Sequence, residues 1–174
     1  MKRIVVYNSK TGFSEKYGKW IAEELACKAV SYKEITQQRL KENDVIIYGA
    51  GIMAGKISGW EKVKNMPELN GKKLILYAVG GMPMKAEEAI LTVKDNNLTK
   101  EEQKEIPFFY LEGGINFEKM GFIPRIMLKT MYKVMKKKKE KTQQDMEMIS
   151  LFEKSSDNSS KENIKPLIIC AKQI

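Results

Sequence analysis

Four short apolar runs dense in β-branched residues, spaced along the chain and separated by helix-patterned sequence, constrain the fold more than any other feature. They are Ile4 to Tyr7, Asp44 to Gly49, Lys73 to Val79 and Pro107 to Leu111. Such runs are apolar on consecutive positions, so they suit strands buried on both faces. A weaker run, Ala29 to Ile35, fits an edge strand. Between them lie helical patterns. From Ser14, a candidate N-cap, Tyr17, Trp20, Ile21, Ala22, Leu25 and Ala26 recur at helical spacing. Ser58-Gly59-Trp60-Glu61 reads as a capping box for a short helix, and charged helical sequence follows from Lys85 and from Thr99. A last helix carries Ile164, Leu167, Ile168 and Ala171 on one side, with Pro166 in its first turn. Strands alternating with helices predict an α/β fold: a doubly wound five-stranded parallel sheet of order 2-1-3-4-5, forming a single domain over 1–174.

In that arrangement ligands sit at the carboxyl ends of the strands. The first such end is Ser9-Lys10-Thr11-Gly12-Phe13-Ser14. Its three hydroxyls, a glycine for the turn and the amino end of a helix suit a phosphate dianion. An ordinary turn with a helix cap is the plainer alternative. The Walker spacing is missing, so this is not an ATPase loop. The next end, Gly49-Ala50-Gly51-Ile52-Met53-Ala54-Gly55, is glycine-rich and formally matches a dinucleotide fingerprint. It follows an interior strand and a short helix comes next, which disfavours that match. A third loop is Gly80-Gly81-Met82-Pro83-Met84, in which Met82 and Met84, with Met53, offer a soft apolar wall. Trp20 falls on the core side of its helix, while Trp60 is open between ligand contact and packing.

The chain contains no histidine and two cysteines, Cys27 and Cys170. Histidine triads and histidine-ligated zinc are thereby excluded, and no metal site is expected. Chemistry, if any, falls to an organic cofactor. The two thiols read as buried and free, placing the protein in the cytoplasm, and the polar turn at Asn8 leaves no signal peptide. Residues 119–141 hold nine basic residues and one acid, nearly all of the net charge of +9. There Pro124 opens a helix in which Arg125, Lys129, Lys133 and Lys136 form one stripe and Ile123, Met127, Met131, Val134 and Met135 the other, with Lys137 extending the basic end. Either the apolar stripe packs on the domain and the lysines are merely solvated, or the helix meets an anionic membrane or an acidic partner. Nucleic acid is disfavoured because no stacking platform accompanies the charge.

The pattern Ser9-x-Thr11-Gly12-x-Ser14 resembles the FMN phosphate signature of the flavodoxins. The resemblance implies FMN held by Ser9, Lys10, Thr11, Gly12, Phe13 and Ser14. It also implies isoalloxazine contacts from Ala50, Gly51, Ile52, Met53, Ala54 and Gly55 and from Val79, Gly80, Gly81 and Met82. Within that superfamily, Gly113-Gly114-Ile115-Asn116-Phe117 followed by Arg125-Ile126-Met127-Leu128-Lys129-x-Met131-x-Lys133-x-Met135 is similar to the long basic insertion of quinone-linked, oxygen-independent protoporphyrinogen oxidases. The insertion would occupy 115–155. Thr11 departs from that group, where an acid is usual, and 80–84 lacks the aromatic that many flavodoxins stack on the ring. The implied function is an FMN oxidoreductase passing electrons from an organic substrate to a quinone, peripheral to the inner face of a membrane. A flavodoxin-type carrier between redox proteins and a non-enzymatic basic binding module are the alternatives. Oligomeric state is not readable.

Overall fold

Alternating side chains of buried strands must find apolar partners on both faces, and the chain supplies helices for each. The computed structural model describes residues 1–174, except the side chains of 144, 147 and 151. The elements in order are β1 (Arg3–Asn8), α1 (Phe13–Glu24), β2 (Lys28–Ser31), α2 (Gln37–Lys41), β3 (Val45–Met53), β4 (Lys56–Ile57), α3 (Trp60–Lys64), β5 (Lys73–Gly80), α4 (Glu87–Asn97), α5 (Glu102–Glu105), β6 (Phe108–Glu112), β7 (Gly114–Ile115), α6 (Phe122–Lys137), α7 (Gln143–Leu151), β8 (Ser156–Asp157) and α8 (Lys165–Gln173). The main sheet runs β2-β1-β3-β5-β6, all neighbours parallel. This is the expected order once the two-residue β4 is set aside.

Two cores follow from the pleat. Ile4, Val6, Ile46, Tyr48, Leu76 and Ala78 face one way and pack with Trp60 and Val63 of α3 and Val93 of α4. Val5, Val45, Ile47, Ile75 and Tyr77 face the other way and pack with Tyr17 and Ile21 of α1 and Leu167 and Ala171 of α8. Trp60 is 1% exposed and its ring nitrogen donates to the Asn97 carbonyl at 3.1 Å, so packing is its role.

Three local expectations change. α1 begins at Phe13, with Gly12 as its N-cap at φ +100° and Ser14 buried inside the first turn. The glycine-rich stretch from Gly49 is not a loop: β3 continues to Met53 and folds back on β4, pairing Ile52 with Ile57. Ala54 and Gly55, at φ +49° and +75°, form the two-residue hairpin turn. Asn97 stabilises this hairpin, its amide donating to the Gly55 carbonyl at 2.9 Å and accepting from the Ile57 N–H at 2.8 Å. With a hairpin at that place, the dinucleotide fingerprint has no strand-to-helix turn to occupy. The capping box at Ser58 does not form either, because Gly59 caps α3 at φ +81°.

The basic segment leaves the fold after β6 and returns through β8. β7 and β8 pair antiparallel, Gly114 against Asp157 and Ile115 against Ser156, and so clasp the insertion at its base. Thr142 and Asp145 form a reciprocal cap at the start of α7. No helix among the described residues is long and apolar enough to cross a membrane.

Candidate functional site

The loop after β1 is ordered from within. The Gly12 N–H donates to Ser9 Oγ at 3.1 Å, so the Ser9 hydroxyl turns into the loop. Thr11 and Ser14 line a cavity of about 680 Å³ instead. Among the described residues neither hydroxyl is hydrogen-bonded within the protein. Gly12 must sit in the left-handed region to turn the chain into α1, a conformation a Cβ would strain.

A buried phenol supports each part of the cavity floor from behind. Tyr77 donates to the Ser14 carbonyl at 3.0 Å, Tyr48 to the Ser58 carbonyl at 2.6 Å and Tyr110 to the Met82 carbonyl at 2.7 Å. Burial pushes all three phenols above their ordinary value, so they remain protonated donors. Fixed carbonyls hold the loops that face the cavity. Sequence reasoning missed these tyrosines, although each interrupts an otherwise largely apolar strand.

The structure brings most of the expected site residues together. Lys10, Thr11, Phe13 and Ser14, then Gly51, Ile52 and Met53, then Val79, Gly80, Gly81 and Met82 all line the cavity. Ser9, Gly12, Ala50, Ala54 and Gly55 do not. Ser9 and Gly12 shape the first loop, Ala50 is fully buried in the sheet, and Ala54 and Gly55 form the hairpin tip that contacts α4. Met84 is 43% exposed and lies outside the cavity. Asn8, Ser58 and Lys85 join the lining, and the only charged lining residues among those described are Lys10 and Lys85. Among the described residues no acid lines the cavity, and Lys10 in the loop after β1 favours an anionic ligand there.

The roof was not foreseen. Met120, Pro124, Leu128, Met148 and Phe152 of the insertion cover the cavity with apolar surface. α6 therefore turns Pro124 and Leu128 inward and buries Met135, while Phe122, Ile123, Ile126, Met127, Met131 and Val134 are exposed. Packing of the whole Met/Ile stripe on the domain is thus not observed. Of the basic stripe, Lys129, Lys133 and Lys136 are exposed, as is Lys137. Arg125 is half-buried and bonded to the Phe117 carbonyl, and Lys136 stands 3.9 Å from Glu153 and over the Tyr132 ring.

Trp20 is half-buried on α1, edge-on to Tyr17 at 5.5 Å, away from the cavity. Cys27 and Cys170 are free and half-buried, and burial pushes both thiols up, as suits unreactive cysteines.

A family model described as a flavodoxin domain matches residues 4–143. Solved structures are similar too. One is a flavodoxin from the domain Archaea, 18% identical, covering 68% of this chain and 88% of that one with a TM-score of 0.42. Another is the two-electron reduced flavodoxin of Megasphaera elsdenii, 20% identical, covering 62% and 84% with a TM-score of 0.43. A third is general stress protein 14 of Treponema denticola in complex with FMN, 12% identical, covering 65% and 87% with a TM-score of 0.42. No curated protein matches the chain.

Proposed function

This chain belongs to the flavodoxin domain family, and on that premise we propose that it binds one FMN in the roofed cavity and acts as an oxidoreductase on an organic substrate. Two hydroxyls at the amino end of α1, unpaired among the described residues, with Lys10 beside them and no acid among the described lining residues, fit a phosphate dianion. The peptides at Gly51 and at Gly80 and Gly81 offer backbone edges to a planar ring system. FMN supplies reversible electron and hydride transfer, and the protein supplies position and electrostatics.

The observation that carries the enzyme over a plain carrier is the roof. An electron carrier needs its cofactor edge open to protein partners, whereas here Met120, Leu128, Met148 and Phe152 enclose space above the binding loops. Such a partly covered cleft with an apolar roof suits a large apolar substrate. We take the substrate class to be porphyrinogen-like and the acceptor a quinone. The likeness of 113–135 to the insertion of the quinone-linked protoporphyrinogen oxidases supports this choice. The outer face of α6, with six exposed apolar residues beside Lys129, Lys133 and Lys137, fits an anionic membrane surface from which a quinone would come.

The first test is ligand binding. Thr11→Ala with Ser14→Ala removes two hydrogen bonds to a charged group, each worth about 1.5–3 kcal/mol. FMN affinity should fall by roughly a hundredfold or more, while riboflavin, lacking the phosphate, loses much less. Equal losses for both ligands overturn the phosphate assignment. The second test is turnover: the FMN-loaded protein should oxidise protoporphyrinogen without oxygen when a soluble quinone is present. FMN binding without any such turnover, together with reduction by a redox protein, would leave the carrier reading standing.

A further inference from the structure

Lys119 is a cation that the reading so far leaves without a task. A Cβ placed on Gly12 would lie 3.8 Å from Lys119 Nζ, so this ammonium stands over the turn that opens α1. Among the described residues it makes no ion pair and no side-chain hydrogen bond. Its backbone is well held. The Lys119 N–H donates to Asn116 Oδ1 at 2.9 Å, and the Phe117 N–H donates to Ser155 Oγ at 3.0 Å. Ser155 in turn donates to the Glu118 carboxylate at 2.8 Å. Farther down, Lys16 of α1 pairs with Asp157 of β8 at 2.8 Å, tying the base of the insertion to the helix whose amino end forms the phosphate loop. Lys16 is thereby committed to an acid, and Lys119 is not.

Resting on the FMN reading, we propose that Lys119 is a phosphate-positioning residue, reaching from the insertion to the loop at 9–14 and pairing with the FMN phosphate. A phosphate monoester carries about −1.5 to −2 charge near neutral pH, and one helix end with the exposed Lys10 leaves room for a second cation. A lysine ammonium serves as a point charge for such a group.

The experiment measures flavin affinity by fluorescence quenching, for FMN and riboflavin, at low and high salt. Wild type should bind FMN far more tightly than riboflavin. Lys119→Gln should weaken FMN by about three- to tenfold, leave riboflavin unchanged and flatten the salt dependence of FMN binding. Lys119→Arg should restore most of the affinity. Lys104→Gln, the same loss of charge on the exposed side of α5, should do nothing. The proposal is overturned if Lys119→Gln leaves FMN affinity and its salt dependence intact, or weakens both flavins alike. A wild type that binds neither flavin, or both equally, overturns the FMN reading itself and the Lys119 proposal with it.

Discussion

At Gly49 the sheet has no room for a methyl group. It sits beside Tyr77 in the β3–β5 register, and a Cβ there would lie 1.7 Å from the ring carbon Cζ. The ring is wholly buried, so it has nowhere to move. Gly49→Ala should cost about 1–3 kcal/mol or more by overpacking, read as a lower urea midpoint with unchanged slope. It should also weaken FMN binding, because the same ring carries the hydroxyl that holds the Ser14 carbonyl. A stable variant with normal flavin affinity would disprove this coupling. From the sequence, Gly49 is only the first glycine of a loop at a strand end. It is kept small for a tyrosine on the next strand, and one sequence does not display that pairing. The loops themselves were legible, since Thr11, Gly12 and Ser14 announce a βα turn by residue type. The tyrosines behind them were not, since nothing local separates a phenol that braces a carbonyl from one that merely fills space.

α6 carries its apolar surface largely outward. Met127 and Met131 are 47% and 44% exposed, so changing both to Asp should leave the melting temperature nearly unchanged. The same change should abolish sedimentation with phosphatidylserine vesicles. Replacing Lys129, Lys133 and Lys137 by Gln should remove most of that binding at low salt. Equal binding to uncharged vesicles would assign the attraction to the apolar stripe alone. Failure of wild type to bind any vesicle, with self-association in sedimentation velocity, would assign the face to a second copy. The helix was legible because periodicity defines its stripes. Which stripe meets protein was not, because that depends on the turn at 116–121 and the clasp at β7 and β8, where no periodic signal exists. The β3–β4 hairpin was hidden for a related reason. Three glycines within 49–55 suggest a loop, but Ile52 and Ile57 extend the apolar strand surface and Asn97 satisfies the turn from a distant helix.

For the molecule as a whole, the sheet order was readable because parallel strands require crossovers and the crossovers are visible as helices. The clasp that divides the insertion from the sheet is set by pairs of residues far apart in sequence. Asp157 lies at that clasp. Burial raises its carboxyl, but Lys16 and hydrogen bonds from Ser159 outweigh this and hold it below the usual carboxylate range. Its contribution is therefore complete above the unfolded value of about 3.9 and is lost as the pH falls through the lower folded value. At pH 7 the amides of 116–155 should be better protected from hydrogen exchange in wild type than in Asp157→Asn, and the two should converge once the pH has fallen below the lowered folded value. A difference that persists in acid would show that the ion pair is not its source. The order of elements along the chain also bears on synthesis. α8 fills the face of the sheet against α1 with Ile164, Leu167, Ile168 and Ala171, yet the insertion precedes it. A ribosome adding roughly 5–20 residues per second must spend a few seconds on the insertion's approximately forty residues. During that interval Tyr17, Ile21 and Leu111 wait uncovered on a nascent chain, and this is the interval in which a chaperone would find the protein.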